Sequence, residues 1–124
     1  MANMAVTIIN ETSVSLNNKA ITETLKLILR RLNHPVRVTI ELLIVGDDKI
    51  TALNNQYRQT NQPTDVLSFP HGSEAKDDQE LAGSIVISAD TAKKQAQQAG
   101  ITVEKEINTL AGHGFLHLLG YHHQ

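Results

Sequence analysis

Four of the chain's six histidines, His113, His117, His122 and His123, fall within its last twelve residues, His-Gly-Phe-Leu-His-Leu-Leu-Gly-Tyr-His-His-Gln. His113 and His117 are four apart, so on a helix their side chains leave the same face one turn apart and two imidazoles can converge on one metal ion. Gly120 follows three residues later. A glycine there can adopt the left-handed conformation that ends a helix, letting the chain double back so that His122 or His123 supplies a third nitrogen. Three protein ligands leave a coordination position open, which in zinc chemistry is the arrangement that activates water, whereas structural sites are closed by four.

The rest of the composition narrows the choice of ligand. With no cysteine a thiolate site is excluded, so a tightly held transition metal must rely on imidazole, carboxylate or water. Neither a purification-tag stub nor isolated core histidines would account for His113 and His117 in a patterned helix followed by Gly120. The intervals from His113 through His117 and Gly120 to His123 are those of metzincin metalloproteases. The residue after the first histidine is not the glutamate base of those enzymes, however, but Gly114. The methionine turn is also missing, since the methionines are at positions 1 and 4. A peptidase is therefore disfavoured.

At 124 residues the chain is expected to be one domain, residues 1–124, able to bury about two-thirds of the surface of its unfolded form. A net charge of −2 and a pI near 6.3 argue against coating nucleic acid by bulk electrostatics, though not against a local phosphate site. Charge is uneven along the chain. Lys26, Arg30, Arg31 and Arg37 bracket a basic stretch, and Glu74, Asp77, Asp78 and Glu80 make an acidic loop. The N-terminal residues lack a basic start followed by a long apolar run, and no apolar run reaches membrane-spanning length. The expectation is a soluble, cytoplasmic protein without a membrane partner.

The elements that must carry these histidines alternate in type. Ala5 to Ile9 is a β-branched strand, and Asn17 to Leu32 has apolar residues at 21, 25, 28, 29 and 32, a helical period. Val36 to Val45 alternates at first and then runs apolar, as a strand that becomes buried would. Gly46-Asp47-Asp48 ends it, with the Asp pair expected to cap a helix from Lys49 to Arg58. Val66 to Phe69 and Leu81 to Ser88 are the next strands. An Ala, Gln and Lys-rich helix runs from Ala89-Asp90 to Gly100, and Thr102 opens a mostly apolar last helix through His113 and His117. The fold class is α+β, one small mixed sheet packed with helices, the last of them zincin-like in its histidines.

Residues 113–123 resemble the signature of the YbeY family of metal-dependent endoribonucleases and ribosomal RNA maturation factors, His-Gly-x-Leu-His-Leu-x-Gly-Tyr-Asp-His, at all but one specified position. Upstream, Leu53-Asn54 through Tyr57-Arg58, then Pro63 through Pro70, and Gly83 through Ser88 follow in the family's order. The resemblance implies one Zn2+ held by His113, His117 and His123, and a basic cleft in which Arg58 receives single-stranded RNA. It implies an endoribonuclease of ribosomal RNA processing, including maturation of the 16S 3′ end, and of ribosome quality control, with ribosomal or small-subunit assembly proteins as partners. A guanidinium's planar fork of donors suits phosphate oxygens. Asp65, on a Pro-containing loop entering a strand, is a candidate proton shuttle, or else holds its turn.

Two positions depart from the family. His122 stands where it has Asp, which leaves His122 in competition with His123, and Ser84 stands where it usually has Asp. The missing carboxylates make a noncatalytic RNA-binding assembly factor with a structural metal the main alternative, ahead of a zincin-like metallopeptidase. Because the family continues beyond the last histidine and this chain stops at Gln124, a frayed third ligand and weaker metal binding are also expected.

Overall fold

The structure is a computed structural model that describes residues 3–33, 37–71 and 80–121. Strand β1 (Asn3–Asn10) leads into helix α1 (Asn18–Arg31), then β2 (Arg37–Val45), α2 (Asp47–Arg58), β3 (Val66–Pro70), β4 (Glu80–Ser88), α3 (Ala89–Ala99) and α4 (Val103–Leu118). The strands form one sheet in the order β1-β2-β4-β3. The first three in that order are parallel and β3 runs antiparallel to β4, so the sheet is mixed and the α+β expectation holds. Among the described residues no helix is long and apolar enough to cross a membrane.

Period-two alternation assigns the two faces. From β2, Val38, Ile40, Leu42 and Ile44 pack with Ile85 and Ile87 of β4 against α1, α3 and α4, whose contributions include Leu25, Ala92, Ile107 and Phe115. On the opposite face Val45, Ile50, Leu67 and Val86 form a smaller cluster with Leu43, Leu53 and Phe69, and this is the face that α2 covers. The cover is partial. Arg37, Thr39 and Glu41 on the first half of β2 are exposed, whereas Val45 at its end is buried, which is the change from alternating to continuous apolarity seen along the strand.

Local chemistry sets the helix starts, with one difference from expectation. Asn17, Ser88 and Thr102 cap α1, α3 and α4, each side chain accepting from a backbone N–H three residues on. Helix α2 begins at Asp47 rather than Lys49, and its N-cap is Gly46, which offers no side-chain acceptor. The Asp pair therefore lies in the first turn instead of capping it. The acceptor comes from another helix: Asp90 Oδ2 takes the Asp47 N–H at 2.8 Å. In return the Asp47 carboxylate accepts the hydroxyls of Ser88, at 2.5 Å, and Thr91, at 2.8 Å. This exchange ties the starts of α2 and α3 together at the ends of β2 and β4.

Helix α4 lies unusually near the sheet. A Cβ at Gly114 would sit 2.6 Å from Ile85 Cγ2, 3.1 Å from Ser68 Oγ and 3.2 Å from Val66 Cγ2. One turn on, Leu118 closes over Gly83, where a Cβ would lie 2.9 Å from Leu118 Cδ2 and 3.0 Å from the Phe69 carbonyl oxygen. The Ser68 hydroxyl donates to the Gly114 carbonyl at 2.9 Å, so edge strand β3 is joined to the helix by a hydrogen bond as well as by packing. Gly114→Ala is expected to destabilise the fold by about 1–3 kcal/mol, lowering Tm by roughly 5–10 °C. Thermal unfolding measures this, and an unchanged Tm would mean that α4 can retreat from Ile85 without loss.

Candidate functional site

The packing of α4 decides where its histidines point. At about 100° per residue, His113 and His117 lie about 100° and 60° round the helix from Gly114, both on the same side. Ile107, Leu110, Ala111, Gly114 and Phe115 are buried, and His113 and His117 are exposed, one turn apart along the border of the buried stripe. Gly120 has φ 96°, the left-handed conformation expected of it. Its N–H bonds to the His117 carbonyl at 3.0 Å and the Tyr121 N–H to the Leu116 carbonyl at 2.9 Å, the paired bonds of a Schellman turn. The chain is thus turned off the helix axis immediately before His122 and His123, which lie outside the described residues. Among the described residues no three His, Asp or Glu side chains form a metal-binding group.

Arg58 and Asp65 are held by a different part of the fold. Arg58 is the last residue of α2 and is exposed, with Gln59 closing the helix at φ 57°. Asn54, only 4% exposed, donates its amide Nδ2–H to the Gln62 carbonyl at 2.9 Å, and its own carbonyl accepts the Thr60 N–H at 3.4 Å. One buried amide therefore pins the loop from Gln59 towards β3. Because α2 covers the face opposite α4, Arg58 and the histidine helix flank β3 from its two sides. Asp65 accepts from Gln95 Nε2 of α3 at 3.2 Å, and its carbonyl accepts the Ser88 N–H at 2.9 Å. Those bonds hold the entry to β3 against α3.

The serines divide by face. Ser68 shares the α4 face and Ser88, fully buried, caps α3. Ser84 faces the α2 side, where its Oγ is 2.6 Å from His71 Nε2 and 3.4 Å from Glu41 Oε1. These three line a hollow of about 500 Å3 whose other walls include Leu43, Leu53, Tyr57, Phe69 and Val86. Sequence reasoning missed both this hollow and the role of Asn54. The available signal was a polar residue breaking an apolar strand, Glu41 between Ile40 and Leu42 and Ser84 before Ile85-Val86-Ile87.

Comparison with known proteins adds an independent line. A family model described as Endoribonuclease YbeY matches residues 6–124. The endoribonuclease YbeY of Aquifex aeolicus is 45% identical over 87 residues, covering 70% of this chain and 57% of that protein. That of Nautilia profundicola is 53% identical over 85 residues, 68% of this chain and 59% of that protein. That of Persephonella marina is 40% identical over 111 residues, 89% and 72%. The chain thus spans less than two-thirds of the length of the first two of these relatives. The solution structure of a Thermotoga maritima protein superposes with a TM-score of 0.58 at 27% identity, covering 97% of this chain and 75% of that one.

The loop that follows α2 gives a direct test of how Arg58 and Asp65 are placed. Asn54→Ala leaves the Gln62 carbonyl without its buried donor and is expected to cost about 1–3 kcal/mol. Denaturant unfolding measures that loss, and hydrogen exchange should quicken at residues 59–65. Exchange there as slow as in the unaltered protein would show that the loop is held by something other than Asn54.

Proposed function

The chain belongs to the YbeY endoribonuclease family, and from that membership we propose that it is a metal-dependent endoribonuclease cutting single-stranded RNA, with ribosomal RNA, including the 16S 3′ end, as its substrate. The observation that carries this most is the exposed pair His113 and His117 on one side of α4, followed at once by the Gly120 turn. Imidazoles one helical turn apart and a chain reversal before two further histidines are a donor set that fits zinc. His113, His117 and His123 would hold the ion. When bound, zinc would supply Lewis acidity and the activation of water at neutral pH.

Cleaving a phosphodiester also demands that charge gathering on the phosphoryl oxygens be met. Arg58 presents its guanidinium at the exposed end of α2, and its role is to bind and orient the phosphate as RNA passes along β3. Ribosomal and small-subunit assembly proteins are the partners that deliver such a substrate.

The competing accounts have less support. The metallopeptidase needs a carboxylate at 114, where even a Cβ would meet Ile85. The noncatalytic account leans on the missing carboxylates at 84 and 122, but Ser84 faces α2 and not the histidine helix, so its exchange takes nothing from the side of the sheet where His113 and His117 lie.

Purified protein incubated with short single-stranded RNA tests the proposal. His113→Ala and His117→Ala should each slow cleavage by about a hundredfold or more, and chelation should abolish it until zinc is restored. Arg58→Ala should weaken RNA binding and reduce the slope of log affinity against log salt by about one. Cleavage indifferent to these changes would expose a contaminating nuclease. Binding without cleavage at any zinc concentration would favour the assembly factor.

A further inference from the structure

The hollow on the α2 face belongs to no step of that chemistry, yet its walls and floor differ in a way that describes a ligand. Register places Glu41, Ser84 and Phe69 side by side across β2, β4 and β3, one row beyond Leu43, Val86 and Leu67. Helix α2 covers the second row and stops short of the first, leaving a cavity of about 500 Å3, a size within the range of small-ligand sites. Tyr57 stands over it, 59% exposed, with its ring centroid 5.0 Å from that of Phe69 and the planes 58° apart. Leu43, Leu53 and Val86 supply apolar surface. At the floor are a carboxylate, a hydroxyl and an imidazole, linked by contacts of 2.6 Å and 3.4 Å.

We infer that this hollow is a subsite for one unpaired nucleobase of the RNA strand, an inference that rests on the ribonuclease reading above. A base has a flat aromatic face for Tyr57 and Phe69 and a hydrogen-bonding edge for Ser84, His71 and Glu41. Other ligand classes match only half of the site. An acyl chain would leave the floor unanswered, and a phosphate would meet the Glu41 carboxylate. The phosphate has its own place outside, because Arg58 follows Tyr57 at the end of α2, and Lys49 at the rim is already paired with Glu11 at 2.9 Å. The strand would lie along the free edge of β3, with a base under α2 and the backbone towards α4. Glu41 only accepts, so it favours bases carrying an exocyclic amine, adenine, cytosine and guanine, over uracil, whose edge offers a single ring N–H.

Tyrosine emission reads this site. Tyr57 and Tyr121 are the only tyrosines and the chain has no tryptophan, so in a Tyr121→Phe background the signal is that of Tyr57. Short single-stranded homopolymers of A, C and U are titrated into that protein and into the same protein with Glu41→Gln. Tyr57→Ala is compared with the unaltered chain by electrophoretic mobility. The A and C strands should quench Tyr57 and bind roughly tenfold more tightly than U. Tyr57→Ala should weaken the A strand by roughly tenfold, and Glu41→Gln, which can also donate, should narrow the gap to U. If RNA is bound and cut as before while neither substitution alters affinity or base preference, the hollow is not a base subsite and the ribonuclease reading stands. If the unaltered protein binds none of the three strands, both fall together.

Discussion

The depth at which α4 settles on β3 and β4 governs what the chain can offer to a ligand. Gly114 lies tight against the sheet, with Ile85, Ser68 and Val66 around the place a side chain would fill. The contact fixes the helix in rotation as well as depth, because turning Gly114 away would drive its neighbours into Ile85. With Gly114 inward, Phe115 is fully buried and His113 and His117 must face out. The Ser68 hydrogen bond to the Gly114 carbonyl carries the same restraint to the edge strand. The residue that removes the expected base of a protease is therefore also the residue that aims the histidines.

The sheet then acts as a divider. Gly83, Ile85 and Ile87 of β4 face α4 and its companions, while Ser84 and Val86 face α2, so one step along the strand moves a side chain from one functional surface to the other. Arg58 owes its position to contacts at both ends of α2. At the start, Asp47 and Asp90 exchange hydrogen bonds with each other's helices, and at the finish Asn54 grips the Gln62 carbonyl. Two of the groups in these contacts, Ser88 and Asn54, are buried, where an unpaired partner is costly.

Much of this was legible in the sequence where a short period or a local rule decides it. The leucines and isoleucines of α1, the alternation in β2, the cap Thr102, and the left-handed Gly120 all follow from near neighbours. The start of α2 did not follow, because its acceptor, Asp90, is far away in the chain and an Asp pair after glycine looks like a local cap. For the same reason the hollow was invisible: Glu41, His71 and Ser84 meet only through strand register. The spacing of His113 and His117 was plain, while the side of the sheet on which Arg58 and Ser84 stand depends on counting faces across several elements.

The central claim is that the histidines of the C-terminal segment make a single three-imidazole metal site. X-ray absorption at the zinc edge, on protein loaded with one equivalent of zinc, addresses it directly. The account predicts one tightly bound ion with three imidazole nitrogen neighbours at about 2.0–2.1 Å, and a changed spectrum in His113→Ala, His117→Ala and His123→Ala but not in His122→Ala. An ion bound with the same spectrum after His113 or His117 is removed, or four histidine nitrogens closing the site, would contradict it.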